Sequence, residues 1–210
     1  MKVKLMWATP AGDDLVAFMA RVSNPANQNN PETAPKLISY LMHNQHWSPF
    51  EMVNACVEIE CTRDIARQIL RHRSFTFQEF SQRYAVSDEF ELSECRLQDT
   101  KNRQNSIPVQ DRELERFWQE EQQKALAAAK SAYTAALHNG IAKEVARKVL
   151  PEGLTMSRMY MNGTLRSWLH YIDIRADEAT QKEHRDVANA IRSVIAPLFP
   201  STFAAFDSVK

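Results

Sequence analysis

Glycine is scarce in this sequence, which has only four among 210 residues, at Gly12, Gly140, Gly153 and Gly163. These glycines are widely scattered and form no Gly-x-Gly pair. Glycine-rich phosphate loops and dinucleotide-binding fingerprints need closely spaced glycines, so both are excluded. A phosphate site in this chain would have to use side chains and ordinary backbone N–H groups instead.

The sequence also lacks a disulfide framework, a net charge and a long apolar run. Its three cysteines, Cys56, Cys61 and Cys95, form no Cys-x-x-Cys pair, which is typical of thiols in a reducing cytoplasm. The 26 basic and 26 acidic residues cancel, which excludes a whole-protein basic field for nucleic acid but not a local basic pocket. No apolar run approaches the roughly 18 residues of a membrane span, and residues 1–8 have no signal-peptide layout. We therefore expect a cytoplasmic protein with neither a membrane nor a nucleic-acid partner.

Hydrophobic periodicity predicts an α+β fold, helix-rich, with a modest antiparallel sheet in a single domain over residues 1–210. Predicted strands cover residues 2–8 and 51–61, and predicted helices cover residues 13–22, 32–44, 62–72, 109–138, 142–149, 164–174 and 177–195. Residues 85–108 are polar and mixed in pattern, and there we expect a strand plus an irregular or mobile loop.

The segment 51–61 alternates strictly between apolar and polar residues. One face carries Val53, Ala55, Val57, Ile59 and Cys61, and the other carries Asn54, Glu58 and Glu60. This period of two predicts a half-buried, antiparallel strand whose polar face meets solvent, a ligand or another subunit.

A cationic segment follows that strand. At 100° per residue, Arg63, Arg67 and Arg71 fall on one side of the predicted helix, which then closes on Arg71-His72-Arg73. Cations at a helix C-terminus complement the helix dipole, which is one interpretation. The other is an anionic ligand, because guanidinium groups bind phosphate in a bidentate manner. Spacing alone leaves both open.

The residues after the cationic segment favour a ligand. Seven mostly aromatic or polar residues, 74–80, lead to Ser81-Gln82-Arg83-Tyr84. A hydroxyl, successive backbone N–H groups and a further arginine can bind a phosphate monoester without a glycine loop. Together with Arg71-His72-Arg73 they form a specific pattern.

This pattern resembles the signature of the flavin-dependent thymidylate synthases, R-H-R followed by seven residues and S. Arg71, His72, Arg73 and Ser81 satisfy it completely. Other motifs of that family are matched from about residue 20 to residue 190, namely Ala20-Arg21-Val22-Ser23, His46-Trp47-Ser48-Pro49-Phe50-Glu51, Glu144-x-x-Arg147-x-x-Leu150-Pro151, Asn162-Gly163-Thr164-Leu165-Arg166-Ser167-Trp168, and Arg175 followed by Gln181-x-Glu183.

The resemblance implies a homotetramer with active sites at subunit interfaces. It also implies conversion of dUMP to dTMP with FAD, NADPH and methylene-tetrahydrofolate. Contacts with dUMP are implied for Gln68, Arg71, Glu79, Phe80, Ser81, Gln82, Arg83, Arg147 and Arg175, with Arg147 coming from a neighbouring subunit. Contacts with FAD are implied for Ser48, Arg71, His72, Arg73, Glu79, Thr164, Arg166 and His170. His46 resembles a ring that stacks near the flavin or the folate.

Helical spacing in residues 164–174 supports part of this assignment. Arg166, His170 and Asp173 share one face, which suits the FAD phosphates or, equally, a solvated helix surface. Arg175 projects about 180° from Arg166 at 100° per residue, so we expect it to serve a different ligand atom.

Methylation of uracil at C5 requires that carbon to become nucleophilic, and one route is attack at C6 by an enzyme thiolate. No cysteine here has a convincing activating setting. Our hypothesis is that Arg175, as the catalytic residue, stabilises dUMP ionised at N3, while reduced flavin supplies hydride. Ser81 has no obvious base for its hydroxyl and suits a phosphate ligand better.

Three other interpretations are weaker. His43 and His46 lack a third ligand, so we expect no metal site. An RNA-binding helical module could use the arginine side of the helix 62–72, and an assembly protein could use the long helix 109–138.

Gln82 would be strained if its position required a positive φ.

Overall fold

The computed structural model describes residues 1–209, which form a four-stranded sheet with helices packed around it. The sheet has the strand order β1-β2-β6-β3, and every neighbouring pair is antiparallel. Its strands are β1 (Lys2–Ala8), β2 (Asn54–Thr62), β3 (Phe75–Glu79) and β6 (Met156–Thr164). Two short strands, β4 (Arg96–Gln98) and β5 (Ser106–Pro108), form a separate hairpin.

Within residues 1–209, eight α-helices surround the sheet. They are α1 (Gly12–Ala20), α2 (Ala34–His43), α3 (Arg63–Ile69), α4 (Arg112–His138), α5 (Lys143–Ala146), α6 (Leu165–Arg175), α7 (Lys182–Ile195) and α8 (Pro200–Ser208). Short 3-10 turns lie at Pro25–Asn27, Ser48–Met52, Arg147–Val149 and Ala196–Leu198. The predicted helix-rich α+β class with a small antiparallel sheet is confirmed.

Several boundaries differ from the prediction. The helix predicted for residues 62–72 already ends at Ile69, so Arg71-His72-Arg73 lies in the turn beyond it. The helix predicted for residues 177–195 begins only at Lys182, and the one predicted for 142–149 splits into α5 and a 3-10 turn. Strands β3 and β6 and helix α8 were not predicted.

The predicted half-buried strand is confirmed by the burial of β2. Its apolar face, Val53 through Cys61 at every second position, is at most 2 % exposed, while Asn54, Glu58 and Glu60 keep partial exposure. On α6, Trp168 and Ile172 are fully buried, and the Trp168 indole Nε1 donates to the Ala55 carbonyl oxygen at 3.1 Å. This contact fixes α6 against the sheet.

Gly163 on β6 allows the ring of Phe75 to pack onto the sheet. A Cβ at position 163 would lie 2.4 Å from Phe75 Cδ1, and the Phe75 ring in turn packs 4.6 Å from that of Trp168, centroid to centroid. Gly163→Ala should therefore destabilise the fold by about 1–3 kcal/mol, as expected for overpacking. Chemical denaturation can measure this loss against Gly153→Ala, where a Cβ meets nothing within 4 Å. Equal stability of the two variants would contradict the prediction.

The long helix α4 keeps most of its apolar side chains exposed. Asp111 caps its first turn by accepting from the backbone N–H of Glu113 and Leu114, and Gly140, at φ 76°, follows its end. Of its 27 residues only Gln122 and Tyr133 are buried. Phe117 and Trp118 are 57 % and 39 % exposed, so these two side chains do not pack into the core of their own chain.

Residues 85–108 hold the β4–β5 hairpin and an isolated bridge between Phe90 and Thr155. In residues 1–209 no helix is long and apolar enough to cross a membrane. The same residues contain no group of three or more histidine, cysteine or acidic side chains placed to hold a metal ion.

Candidate active site

A cavity of about 820 Å³ lies between the turn after α3 and the outer face of α6. We call it the cationic cavity, because four arginines and two histidines line it: Arg71, His72 and Arg73 from the turn, and Arg166, His170 and Arg175 from α6. Trp47, Ser74, Ser167 and Asp173 are also among its walls. Its volume falls within the roughly 300–1,000 Å³ typical of pockets for small molecules and cofactors.

Local sequence explains how the two walls are held together. Helix α6 starts after Thr164, whose hydroxyl oxygen accepts from the Ser167 backbone N–H at 3.2 Å. The Ser167 hydroxyl donates to the Ser74 carbonyl oxygen at 3.3 Å, which joins the start of α6 to the start of β3. Because Trp168 and Ile172 anchor the opposite face of α6, Arg166 and His170 point to the cavity.

The charge of the cavity is only partly neutralised. Arg166 Nη1 pairs with Glu51 Oε1 at 2.5 Å, and Arg175 Nε donates to His72 Nε2 at 3.0 Å. Within residues 1–209 the guanidinium groups of Arg71 and Arg73 take part in no salt bridge. Two unpaired guanidinium groups beside a cavity attract anionic ligands, which favours the ligand interpretation over dipole complementation.

Arg166 and Arg175 both line the cavity, although the sequence placed them on opposite faces of the helix. They lie near the two ends of α6, about 14 Å apart along the axis at 1.5 Å per residue. Arg175 reaches the cavity because it is the last residue of α6, where its side chain bonds to His72.

His72, which lines the cavity, and His184, which does not, are both held neutral. Burial, followed by the charge of Arg175, lowers the pKa of His72 to about 4. The same two causes lower the pKa of fully buried His184 to about 3. His72 therefore accepts from Arg175 Nε as an uncharged ring, with its proton on Nδ1.

A pH prediction follows from His184. The pKa of His184 is about 3 in the folded chain, below the value of 6.5 in the unfolded chain. Between these two pH values the unfolded state binds more protons than the folded state. The free energy of unfolding therefore falls as the pH drops below 6.5. Replacing His184 with asparagine should reduce the slope of the free energy of unfolding against pH by about 1.4 kcal/mol per pH unit. Unfolding curves from pH 7 to pH 4.5 measure the slope, with exposed His138→Asn as the control. An unchanged slope in His184→Asn would refute the prediction.

A second cationic group lies at the other end of β3, around a pocket of about 200 Å³. We call it the second cluster, and it comprises Arg63, Arg67, Gln82, Arg147 and Lys148. The expected single cationic face of Arg63, Arg67 and Arg71 is therefore wrong, because the first two arginines line this pocket and only Arg71 lines the cationic cavity. The break comes from the early end of α3 at Ile69.

The residues predicted to wrap a nucleotide lie at or beside the second cluster. Glu79 accepts from the Ser157 hydroxyl at 2.8 Å and lies 3.5 Å from Arg63 Nη1. Arg83 pairs with Glu144 at 3.3 Å, which brings the segment 79–83 beside α5 and Arg147.

Further contacts fix this segment internally. The Phe80 backbone N–H donates to the Arg158 carbonyl oxygen at 2.8 Å, and the Ser81 hydroxyl accepts from the Arg83 backbone N–H at 3.3 Å. Gln82 is 4 % exposed and its Nε2 donates to the Ser87 hydroxyl at 2.9 Å. Among non-glycine residues 1–209 only Ala11 and Gln45 have a positive φ, so Gln82 carries no such strain.

The two groups lie at opposite ends of β3. Ser74 lines the cationic cavity, and Phe80 follows the five residues of β3 that separate the two ends. A strand of this length spans about 17 Å. The predicted dUMP residues are therefore divided between two places along the strand.

The remaining predicted residues lie around these groups. Gln68 bonds to Gln181 and His184 on the inner side of α3, and Ser48 starts the 3-10 turn beside Trp47. The His46 ring packs edge-on against Tyr40, with 6.0 Å between centroids. The sequence did not single out Trp47 or Lys148 as site residues, although Trp47 lies between His46 and Ser48 and Lys148 adjoins Arg147.

A larger cavity of about 880 Å³ lies elsewhere, between α3, the start of α4 and residues 91–97. No predicted ligand-binding residue lines it, and its walls include the exposed Phe117 and Trp118. Its position on the apolar side of α4 matches a surface that contacts another protein chain better than a nucleotide site.

A cavity bounded by four arginines, on a helix-rich α+β scaffold, belongs to a protein that binds large anionic ligands such as nucleotides. Residues 4–201 match the sequence profile of the family described as thymidylate synthase complementing protein. The chain belongs to this family of flavin-dependent thymidylate synthases.

Individual relatives agree with the assignment. The chain is 48% identical over 195 residues to the flavin-dependent thymidylate synthase of Synechocystis sp., covering 93% of this chain and 89% of the relative. It is 46% identical over 198 residues to the probable flavin-dependent thymidylate synthase of Paramecium bursaria Chlorella virus 1, covering 94% and 91%. A crystal structure of the UMP/dUMP methylase PolB from Streptomyces cacaoi, bound with 5-Br dUMP, superposes with a TM-score of 0.89 at 28% identity, covering 99% and 94%. The predicted family, fold and enzyme class are thereby confirmed.

Proposed function

We propose that this chain converts dUMP to dTMP by reductive methylation, with methylene-tetrahydrofolate as the carbon donor, FAD as the source of hydride and NADPH as the reductant of FAD. The observation that carries the proposal is the cationic cavity, which Arg71 and Arg73 line without a salt bridge to any carboxylate of residues 1–209. Membership of the flavin-dependent family and the similarity to a dUMP methylase support the same reaction.

The cationic cavity fits a flavin dinucleotide. Arg71, Arg73 and Arg166 are placed to bind its pyrophosphate, because guanidinium groups form bidentate bonds with phosphate oxygens. Neutral His72 can donate to the ring system or the ribose, and His170 lines the same cavity. Ser48 starts the 3-10 turn and Thr164 immediately precedes α6. When bound, FAD supplies the hydride that completes the new methyl group.

The nucleotide is assigned to both groups of residues. Arg175, Gln68 and Arg71 would contact the uracil and sugar from the side of the cationic cavity. From the second cluster, Ser81, Arg83 and Arg147 would bind the phosphate, and Glu79, Phe80 and Gln82 would shape the loop around it. We propose that the two sets meet at an interface and come from different subunits, which their separation along β3 favours.

Arg175 is proposed to activate the uracil ring. A permanent cation beside N3 favours the ionised ring, which makes C5 more nucleophilic without a covalent bond to the enzyme. The three cysteines suit the thiolate route poorly. Burial raises the pKa of Cys56, and burial with the charge of Asp64 raises that of Cys61 to about 12. The thiol of Cys95 donates weakly to the Leu114 carbonyl oxygen.

We propose a homotetramer as the active form. Phe117 and Trp118 on α4, together with Val145 on α5 and Val149 in the 3-10 turn after it, expose apolar area that a second copy would cover. The same helices lie next to Arg147, so an interface there would place the second cluster near a neighbouring cationic cavity. His46 is proposed as a ring that stacks near the flavin or the folate. A cytoplasmic location and the absence of nucleic-acid and membrane partners complete the proposal.

The purified protein should be yellow, with the absorbance of bound FAD, and should form dTMP from dUMP only when methylene-tetrahydrofolate and NADPH are both supplied. Product analysis with each component omitted in turn is the measurement, and Arg73→Ala should lose most of the bound FAD because it removes one unpaired guanidinium. The matched control is Arg185→Ala, which lies outside the cavity and whose Nη1 donates to the Glu178 carbonyl oxygen at 3.0 Å. A colourless protein that binds RNA, or one that binds neither FAD nor dUMP, would overturn the proposal.

A further inference from the structure

A continuous chain of side-chain hydrogen bonds connects the core to the β4–β5 hairpin through Gln68. We call it the Gln68 relay, and its six residues in order are Tyr171, His184, Gln68, Gln181, Glu183 and Arg96. The inner contacts are Tyr171 Oη to His184 Nε2 at 3.0 Å and His184 Nδ1 to Gln68 Oε1 at 3.2 Å. The outer contacts run from Gln68 Nε2 to Gln181 Oε1 at 2.7 Å, and from Gln181 Nε2 to Glu183 Oε2 at 3.1 Å. Arg96 Nη2 closes the chain on Glu183 Oε1 at 2.5 Å.

The direction of the relay is set at its outer end by Glu183. Burial opposes ionisation of this carboxyl, but hydrogen bonds from the backbone and from Arg96 outweigh burial and lower its pKa. An ionised carboxylate only accepts, so Gln181 must donate to it with Nε2 and turn its oxygen to Gln68. Gln68 must then donate to Gln181 with its own Nε2, which leaves its oxygen facing His184.

The inner end accommodates the direction set by Glu183. His184 is fully buried and neutral, so its ring carries one N–H and one acceptor nitrogen. Because the Gln68 oxygen faces His184, the ring N–H lies on Nδ1 and donates to Gln68 Oε1. His184 Nε2 then accepts from the Tyr171 hydroxyl, which keeps its proton because burial raises its pKa. The ionised Glu183 therefore specifies one orientation of the Gln68 amide, and every contact of the relay has one donor and one acceptor.

We infer that the Gln68 relay orients this amide for the nucleotide, so that its second N–H is presented to an acceptor oxygen of a pyrimidine nucleotide. His184, Gln181, Glu183 and Arg96 are accordingly positioning residues that act through Gln68, and none of them lines the cationic cavity. The inference rests on the proposed function, because it takes Gln68 as a nucleotide contact. It also gives a role to the segment 85–108, which supplies Arg96 from β4.

The test replaces the ionised end of the relay in the full-length protein. Glu183→Gln keeps the size of the side chain, but its amide both donates and accepts, so the relay no longer specifies one orientation. We expect the Kd for dUMP, measured by titration calorimetry, to rise about tenfold, as for one lost hydrogen bond. The Kd for FAD should stay within about twofold of the parent. The matched control is Glu94→Gln, since Glu94 pairs with the same Arg96 at 3.1 Å but lies outside the relay.

Three further variants separate positioning from a general loss of structure. His184→Asn retains an N–H near the place of Nδ1 and should bind dUMP more tightly than His184→Leu, which retains none. Gln181→Ala interrupts the relay at an exposed residue. Its Kd for dUMP therefore tests the relay even if the variants of buried His184 do not fold. Parent-like dUMP binding by Glu183→Gln or Gln181→Ala, or equal weakening by Glu94→Gln, would overturn the inference. If the parent itself does not bind dUMP, the proposed function fails first.

Discussion

Replacing Arg175 with alanine is expected to lower kcat for dTMP formation by on the order of 10²–10³-fold, the usual cost of removing one group that stabilises a developing charge. Arg175 Nε is engaged with neutral His72, which holds the guanidinium at the cavity without cancelling its charge. Its remaining N–H groups are available for a ligand. If the cation stabilises uracil ionised at N3, its loss raises the barrier to methylation more than it weakens nucleotide binding.

The measurement is therefore a comparison of kcat and KM for dUMP, with bound FAD quantified by absorbance. Arg175→Lys keeps a positive charge but loses the planar guanidinium with its paired N–H donors. It should therefore retain more activity than Arg175→Ala and less than the parent. Arg185→Ala, on the surface of α7, controls for the loss of an arginine as such. Near-normal turnover by Arg175→Ala would refute the ionisation role, and a stable covalent adduct of dUMP with Ser81 or any cysteine would refute chemistry without a protein nucleophile.

Hydrophobic periodicity predicted the strands and helices whose buried and exposed faces alternate regularly along the sequence. The alternation in residues 51–61 identified β2, because its inner face packs on the core while its outer face stays partly polar. Strand β6 escaped prediction although Ser157, Met159, Met161 and Gly163 alternate on its buried face, since methionine and glycine have low strand preference. The end of α3 at Ile69 was also missed, because no glycine or proline marks it.

The sequence predicted which residues of the site lie near one another along the chain, but not how distant segments come together. The structure brings together around one cavity Arg71, His72, Arg73 and Arg166, which the resemblance assigns to FAD. Which residues lie at opposite ends of β3 depends on strand pairing between distant segments, and spacing along the chain does not carry that information. The partners of Gln68 are likewise 113 and 116 residues away, so its orientation appears only in three dimensions.

Mixing two inactive variants should restore activity if the active site is shared between subunits. Arg147→Ala removes a residue of the second cluster, and Arg175→Ala removes one of the cationic cavity, so each alone should be nearly inactive. In mixed oligomers formed by co-expression, some sites draw Arg147 from one variant and Arg175 from the other. Random assembly of equal amounts gives about a quarter of the sites both intact residues, because each half is supplied independently by a symmetric partner.

The decisive control pairs two variants from the same side of the site. Arg71 and Arg175 line one cavity within one chain, so a mixture of Arg71→Ala with Arg175→Ala has no site with both residues and should stay inactive. Activity in the first mixture and none in the second would require that the ends of β3 act in different copies of the chain. Silence in both mixtures, with mixed oligomers confirmed by mass, would mean that one chain builds the whole site, and the 17 Å estimated across β3 would then have to close by a movement within the subunit.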